Sequence, residues 1–115
     1  VGVDLERSDR PIAAELLARR YFCADDQAAL CHLRGAALRD AVLEQWLSKE
    51  AAIKWQRGSL AADLIHWRCG VDSAFAVHEV LGHQVDVHRI HHNIWSMAVV
   101  SDLSAMSNSP MLCLV

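Results

Sequence analysis

Two carboxylates near the start of the chain are spaced in a way that suits metal chemistry. Asp4 and Glu6 lie two residues apart and alternate with Val1, Val3 and Leu5. A period of two is typical of a strand, so both acids leave one face with their backbones about 6.5–7 Å apart. Two such carboxylates repel each other unless a cation lies between them, and Mg²⁺ or Mn²⁺ prefers oxygen ligands of this kind. A solvent-facing strand would show the same alternation, so the pair alone leaves both interpretations open.

A third acid lies in the longest helical stretch of the sequence. Glu50 follows Trp46 by one turn and precedes Lys54 by one turn, so the three share one helix face. Lys49 flanks Glu50. The chain has only two lysines, Lys49 and Lys54. An ordinary Glu–Lys helix pair, which contributes about 0.3–0.5 kcal/mol, explains the same spacing.

Together, these two groups of residues resemble the signature of the 4′-phosphopantetheinyl transferases. The segment Gly2-Val3-Asp4-Leu5-Glu6 is similar to the G-[VI]-D-[LIV]-E strand of that family. Trp46-Leu47-Ser48-Lys49-Glu50-Ala51, with Lys54 as the last lysine, is similar to its [WF]-x-x-K-E-[SA]-x-x-K helix. Both motifs occur in the family's order and at its spacing of some 40 residues.

Weaker similarities extend the resemblance over residues 1–60. Gly58-Ser59-Leu60 resembles the family's G-x-G-L, although Gln56 or Arg57 replaces the first glycine. Tyr21-Phe22, followed by Asp25 or Asp26, resembles the F-[FS]-x-x-E stretch between the two motifs.

The resemblance implies a reaction and a set of residues for it. The chain would transfer 4′-phosphopantetheine from coenzyme A to a serine of an apo acyl or peptidyl carrier protein, releasing 3′,5′-ADP, which is holo-[acyl-carrier-protein] synthase activity. The implied ligands of Mg²⁺, or of Mn²⁺, are Asp4, Glu6 and Glu50. The implied catalytic residues are Glu50, which accepts the serine proton, and Lys54. The implied contacts to coenzyme A are Lys49, Lys54 and Arg57.

Trp46 in the second motif resembles the Sfp-type enzymes, which consist of two similar halves and carry both motifs in the C-terminal half. Residues 1–115 are therefore expected to form one phosphopantetheinyl transferase-like domain that corresponds to this half, either as a homo-oligomer or as a fragment without its N-terminal half. The expected contact surfaces are the helix face around Trp46–Ile53 and the edge near Val1–Leu5. Two alternatives stay open: a non-catalytic half-domain that binds a carrier protein or partner subunit, and a small trimeric holo-acyl-carrier-protein synthase.

The elements that position these residues follow from the apolar periodicity and the turn signals. Residues 1–6 are predicted to form a strand, and a helix with Asp9 as its N-cap and Pro11 in its first turn is predicted to reach Phe22. A short helix from Ala24 and a long helix over residues 36–56, ended by Gly58, complete the helical part. Alternating segments over residues 64–68, 74–79, 84–90 and 94–101 predict an antiparallel β-meander, and the tail after residue 103 stays unassigned. The fold class is α+β, with a phosphopantetheinyl transferase-like arrangement.

Composition narrows the classes of function. The 115 residues are 53% hydrophobic and 22% charged, with a net charge of -3, as expected of one globular domain. Because the chain is mildly acidic, binding of nucleic acid by bulk charge is not expected. Residues 58–115 carry the whole of the net negative charge. No stretch approaches the roughly 20 apolar residues of a membrane helix. The four cysteines form no CxxC pair, which favours free thiols in a reducing, cytoplasmic compartment.

Histidines are concentrated in the strand region, at His78, His83, His88, His91 and His92. Their spacing matches no common metal-ligand motif. They are predicted to be solvent-facing strand residues.

Overall fold

The computed structural model describes residues 1–102, which form helices packed on one antiparallel sheet. The elements in chain order are β1 (Gly2–Arg7), α1 (Ala14–Tyr21), α2 (Ala24–Leu30), α3 (Gly35–Gln56), α4 (Leu60–Asp63), a 3₁₀ turn (Leu64–His66), β2 (Trp67–Arg68), β3 (Phe75–His78), β4 (Gln84–His92) and β5 (Trp95–Asp102). The predicted α+β fold class, with an N-terminal strand, a long helix and a later meander, is confirmed. The unassigned tail lies outside the described residues.

The sheet has the strand order β1-β5-β4-β3-β2, with antiparallel neighbours throughout. The last four strands form a meander, and β1 joins its free edge beside β5. The register sets Gly2 opposite Val100, and Asp4 opposite Ala98. This pairing places the N-terminal strand beneath the long helix, although Gly2 and its strand partner Val100 lie almost a hundred residues apart in the sequence.

Helix α3 covers the inner face of the sheet, and the main core lies between them. Its central members are fully or almost fully buried: Leu47, Ala51, Ile53, Val85, Ala98 and Val100. The helix has no proline or interior glycine over its 22 residues, so its hydrogen-bond ladder is uninterrupted. A second cluster, around Phe22, Leu30 and Val42, fixes α1 and α2 against the same helix.

The start of the first helix differs from the prediction. Asp9 does not cap α1, because its carboxylate accepts two hydrogen bonds from the Arg7 guanidinium at 2.8 and 2.9 Å; the helix begins only at Ala14. The long helix α3 ends at Gln56, as predicted, and Arg57 follows it in the left-handed region (φ 62°).

The strand region also differs in part. Of the predicted strand over residues 64–68, only Trp67 and Arg68 pair with β3. The residues before them form the short helix α4, capped by the Ser59 hydroxyl, and the 3₁₀ turn. His78 is buried rather than solvent-facing, because its Nε2 lies 3.0 Å from Oδ1 of Asp63.

The two faces of β1 have opposite surroundings. Gly2, Asp4 and Glu6 face α3, whereas Val3 and Leu5 lie on the outer face and are 41% and 54% exposed. The helix face around residues 46–53 was expected to contact another copy, and this prediction is wrong because that face packs on the domain's own sheet. No helix of residues 1–102 is long and apolar enough to span a membrane.

Candidate functional site

The first strand and the long helix approach each other closely at Gly2. A Cβ at this position would collide with the carbonyl oxygen of Ala51 and lie 2.6 Å from the backbone nitrogen of Trp55. Only glycine therefore permits this distance between β1 and α3. The close approach brings Asp4, two residues further along the strand, up to the α3 face that carries Glu50 and Lys54.

Asp4, Glu50 and Lys54 form the centre of the candidate site. The Lys54 ammonium donates a hydrogen bond of 2.9 Å to Oδ1 of Asp4. This hydrogen bond raises the pKa of Lys54, which therefore stays cationic at neutral pH. Burial raises the pKa of Glu50, and the nearby Asp4 carboxylate raises it further. The site thus contains two carboxylates that disfavour each other's charge and one ammonium that compensates them.

Trp46 lies beside the site, one turn before Glu50 on α3. Its ring packs edge-on against Tyr21, with ring centroids 5.9 Å apart, and contacts both hydrophobic clusters. The Trp46 side chain partly opposes the rise in the pKa of Glu50. The one-turn spacing in the sequence was the signal for this interaction.

Glu6 shares the inner face of β1 but has different partners. Its carboxylate lies 2.6 Å from the Arg10 guanidinium and also accepts a hydrogen bond from the backbone of Arg7. Within residues 1–102, no three His, Cys, Asp or Glu side chains are close enough together to hold a metal ion. The structure therefore brings together two of the three implied metal ligands, Asp4 and Glu50. The third, Glu6, forms an ion pair with Arg10 instead.

Lys49, the residue next to Glu50, points into the core. Its side chain is fully buried, with the ammonium 2.6 Å from Oδ2 of Asp26 and 3.8 Å from the centre of the Phe22 ring. The Asp26 carboxylate also accepts hydrogen bonds from the backbone N–H groups of Cys69 and Gly70. Lys49 therefore does not reach the surface on which coenzyme A was expected to contact it.

The Asp26–Lys49 pair settles a question that the sequence left open. Either Asp25 or Asp26 was compared with the acid of the motif between the two signatures, and Asp26 is the one that is buried against the long helix. The pair joins α2, α3 and the segment after β2 at one point. It supports α3 on a different side of the helix from the one that carries Glu50.

Arg57, the remaining implied contact, lies at the exposed C-terminal end of α3. It follows Lys54 by three residues, and its guanidinium makes no ion pair with the residues that the structure describes. The side chain is therefore free to turn toward an anion beside Lys54.

The fold and the site define a class of protein: an α+β domain in which an acidic strand meets a helix carrying an acid and a lysine. A family model of the 4′-phosphopantetheinyl transferase superfamily matches residues 1–100, and the chain belongs to this superfamily. It is thus a transferase domain of the phosphopantetheinyl transferase type. No curated protein and no solved structure matches the chain significantly.

Proposed function

We propose that the chain transfers 4′-phosphopantetheine from coenzyme A to a serine hydroxyl of an apo acyl or peptidyl carrier protein, releasing 3′,5′-ADP. The observation that carries this proposal is the meeting of Asp4, from the first family motif, with Glu50 and Lys54, from the second. A domain that only bound a partner would gain nothing from placing two carboxylates where each raises the cost of charging the other.

The residues present fit a Mg²⁺ or Mn²⁺ ion, as the resemblance implied. Such an ion takes one or two protein carboxylates and fills its other positions with water and phosphate oxygens. Asp4 and Glu50 are two such carboxylates, and the Lys54 ammonium on Asp4 marks the place as one that attracts a cation. Glu6 becomes a third ligand if its carboxylate leaves Arg10. When bound, the ion neutralises charge on the pyrophosphate of coenzyme A.

The protein residues then have separate tasks. Glu50 accepts the proton of the carrier serine, a role suited to a carboxylate whose pKa is raised by burial. The serine oxygen forms the new bond to phosphorus, and the bond to the departing 3′,5′-ADP breaks. Lys54 stabilises the charge on that leaving group, together with Arg57 if its side chain turns inward. Lys49 keeps α3 in place, so that Glu50 stays opposite Asp4.

The carrier protein would dock on the first helix. Arg19 and Arg20 are exposed on α1, and a cavity of about 510 Å³ between α1 and α3 is lined by Leu16, Leu38 and Arg39, among others. Apolar walls with arginines at the rim suit an amphipathic helix with an acidic surface. Arg10 was also expected to contact the carrier, and it would first have to release Glu6.

The assembly we propose follows the Sfp type, with this chain in the place of a C-terminal half. The outer face of the sheet carries several exposed apolar side chains: Val3, Leu5, Phe75 and Trp95. A patch of this kind is typical of a surface covered by another domain. A second copy, or an N-terminal half, would cover it and complete the binding cleft for coenzyme A. The free thiols of Cys23 and Cys69 suit a reducing, cytoplasmic compartment.

A transfer assay tests the proposed function. The oligomeric fraction of the chain is incubated with coenzyme A, Mg²⁺ and an apo carrier protein, and the carrier's intact mass is measured. The expected result is one added phosphopantetheine, lost on chelation and reduced about 100-fold or more by Glu50→Gln. The matched control is Glu79→Gln, which changes an exposed acid after β3, away from both the site and the docking cavity, and should keep full activity. Addition that persists in Glu50→Gln would contradict the mechanism.

A further inference from the structure

A second group of reactive side chains lies at the hairpin end of β4 and β5, away from Asp4 and Glu50. Nδ1 of His91 lies 2.8 Å from Oγ of Ser96, and Nε2 of the same ring lies 3.1 Å from Oε1 of Glu44 on α3. Oγ of Ser96 lies 2.6 Å from Oγ of Ser8, which follows β1. One chain of hydrogen bonds thus joins α3, β4, β5 and the residue that follows β1.

The direction of these hydrogen bonds follows from the chemistry of the groups. A carboxylate can only accept, so Nε2 of His91 carries the proton and donates it to Glu44. In the neutral form of the ring, Nδ1 carries the lone pair and accepts the hydrogen bond from the Ser96 hydroxyl. The Ser96 oxygen is left to accept from Ser8. This is the arrangement of a nucleophilic serine, a base and a carboxylate that orients the base.

A cavity gives access to the serine. It measures about 280 Å³ and is lined by the members of the chain of hydrogen bonds together with Leu43 and Asp40. Ser96 itself is only 3% exposed, whereas the His91 side chain is 55% exposed. A reactant must therefore be small enough to enter the cavity. Because Asp40 and Glu44 make its wall acidic, the reactant should carry no negative charge near the reacting carbon.

We propose that Ser96, His91 and Glu44 form a second reactive site, which accepts small uncharged acyl groups from activated esters. Oγ of Ser96 forms a bond to the acyl carbon, and its proton passes to Nδ1 of His91. The bond to the leaving alcohol then breaks, and the proton passes from His91 to that alcohol. Ser8 donates a hydrogen bond to the oxyanion, and water later releases the acid from the acyl-serine.

The roles of the four residues differ. Ser96 and His91 touch the reacting atoms and are catalytic, whereas Glu44 is a positioning residue that fixes the ring through Nε2. Ser8 is the one hydroxyl within reach of the oxyanion among the residues lining the cavity. A single hydroxyl donor stabilises an oxyanion less than the paired donors of efficient hydrolases, so both acylation and hydrolysis should be slow. An activated ester has a much better leaving group than the acyl-serine, so the acyl-serine should form faster than it is hydrolysed.

The test uses p-nitrophenyl acetate with the full chain. We expect a burst of p-nitrophenol of up to one equivalent, and a peptide map with the acetyl group on Ser96. His91→Ala should slow the burst about 100-fold, and added imidazole should restore part of it. The matched control, His88→Ala, changes an exposed histidine of the same strand and should keep the burst. The octanoate ester, whose acyl chain fills far more of the cavity than an acetyl group, should react more slowly.

Further variants separate reactivity from folding. Glu44→Gln keeps an oxygen that can accept from Nε2, so it should retain more of the burst than Glu44→Leu at equal thermal midpoints. His91→Ala should leave Mg²⁺-dependent phosphopantetheine transfer unchanged, so the two sites fail independently. Acetylation of other residues, or a burst unaffected by His91→Ala in a folded protein, would overturn the proposal.

Discussion

At the scale of single residues, the site depends on a carboxylate that is costly to charge. Glu50 is partly buried, and Asp4 lies close enough to repel it. Trp46 and Lys54 reduce this cost, and the net shift of the Glu50 pKa is still upward. A divalent cation bound to Asp4 and Glu50 would remove this repulsion. In the metal-free protein the two carboxylates repel each other, and this repulsion favours binding of a cation.

The first prediction concerns the stability of the metal-free protein. A carboxyl group whose pKa is higher in the folded state than its ordinary 4.5 binds more protons when folded, so stability falls as pH rises through this window. Glu50→Gln removes the ionisable group and should raise the thermal midpoint at pH 8. At pH 4, where the wild-type carboxyl is largely protonated, the gain should disappear. Melting curves at both pH values measure this, and a destabilised Glu50→Gln at pH 8 would contradict the account.

The second prediction compares the chain's two lysines. Lys49→Met leaves the buried Asp26 carboxylate without its partner and should cost about 3 kcal/mol of unfolding free energy. Lys54→Met changes a side chain that is 55% exposed and should cost less than about 0.5 kcal/mol. Transfer activity at a temperature where both variants are folded should show the reverse order, with the larger loss in Lys54→Met. Chemical denaturation and the transfer assay together measure this; equal effects of the two substitutions would be inconsistent with it.

At the scale of elements, the contact between β1 and α3 determines whether the site exists. Gly2 permits this contact because a Cβ at this position would collide with the backbone of α3. This explains the glycine at the start of the strand motif. Gly2→Ala should destabilise the protein by about 2 kcal/mol, because a buried methyl group must displace helix backbone. The displacement also moves Asp4 from Glu50, so transfer should fall even where the variant is folded. Val80→Ala, at an exposed turn away from this contact, is the control. Wild-type activity and stability in Gly2→Ala would refute this explanation.

A second link between elements joins the end of α3 to the strand region. The Asp63 carboxylate accepts hydrogen bonds from Gln56 and from the backbone of Ser59, and it pairs with His78. The Gln56 side chain is the largest cause of its low pKa of about 2, against an ordinary 3.8. Nδ1 of His78 in turn accepts from the backbone N–H groups of Val80 and Leu81.

The third prediction follows from this lowered pKa. A depressed carboxyl pKa stabilises the folded state above pH 3.8, and the contribution is lost as pH falls toward 2. Asp63→Asn should therefore cost about 1.5 kcal/mol at pH 7, and the difference from the wild type should shrink below pH 4. Urea denaturation across this range measures the effect. A difference in unfolding free energy that is independent of pH would show that ionisation of the Asp63 carboxylate contributes nothing to stability.

The sequence predicted the elements that periodicity defines, and it missed what depends on tertiary partners. The strand with Asp4, the long helix with Glu50 and the meander follow from spacing alone. Asp9 looked like a helix cap because the sequence does not reveal that its carboxylate binds Arg7. Lys49 was assigned to the surface because the motif places it beside Glu50; adjacent helix residues point about 100° apart, and Lys49 faces Asp26. His78 was assigned to solvent because its partner, Asp63, lies in a helix that was not predicted.

At the scale of the whole molecule, no other element of residues 1–102 covers the outer face of the sheet. Leu5, Met97 and Ile90 form one row across three strands, and Arg7, Trp95 and His92 form another. Leu5 is 54% exposed and Trp95 is 42% exposed, although side chains of this size are usually covered. We therefore expect this face to bind a second copy of the chain or a similar half.

The fourth prediction tests this association. The wild-type chain should sediment as a dimer, whereas Leu5→Asp should sediment near the monomer mass of 12.8 kDa. Val80→Asp places the same charge at an exposed turn and should leave the dimer intact. A wild-type monomer at high concentration would contradict the expectation of a homodimer. A trimer would instead favour the small holo-acyl-carrier-protein synthase type.

The central claim is that coenzyme A binds at the site formed by Asp4, Glu50 and Lys54, and that a divalent cation mediates this binding. Calorimetric titration of coenzyme A into the oligomeric chain, with and without Mg²⁺, measures this most directly. The account predicts binding that requires Mg²⁺ in the wild type and is weakened about tenfold or more by Glu50→Gln, with Glu15→Gln as the unaffected control. Equal binding without Mg²⁺, or equal binding by Glu50→Gln, would contradict it.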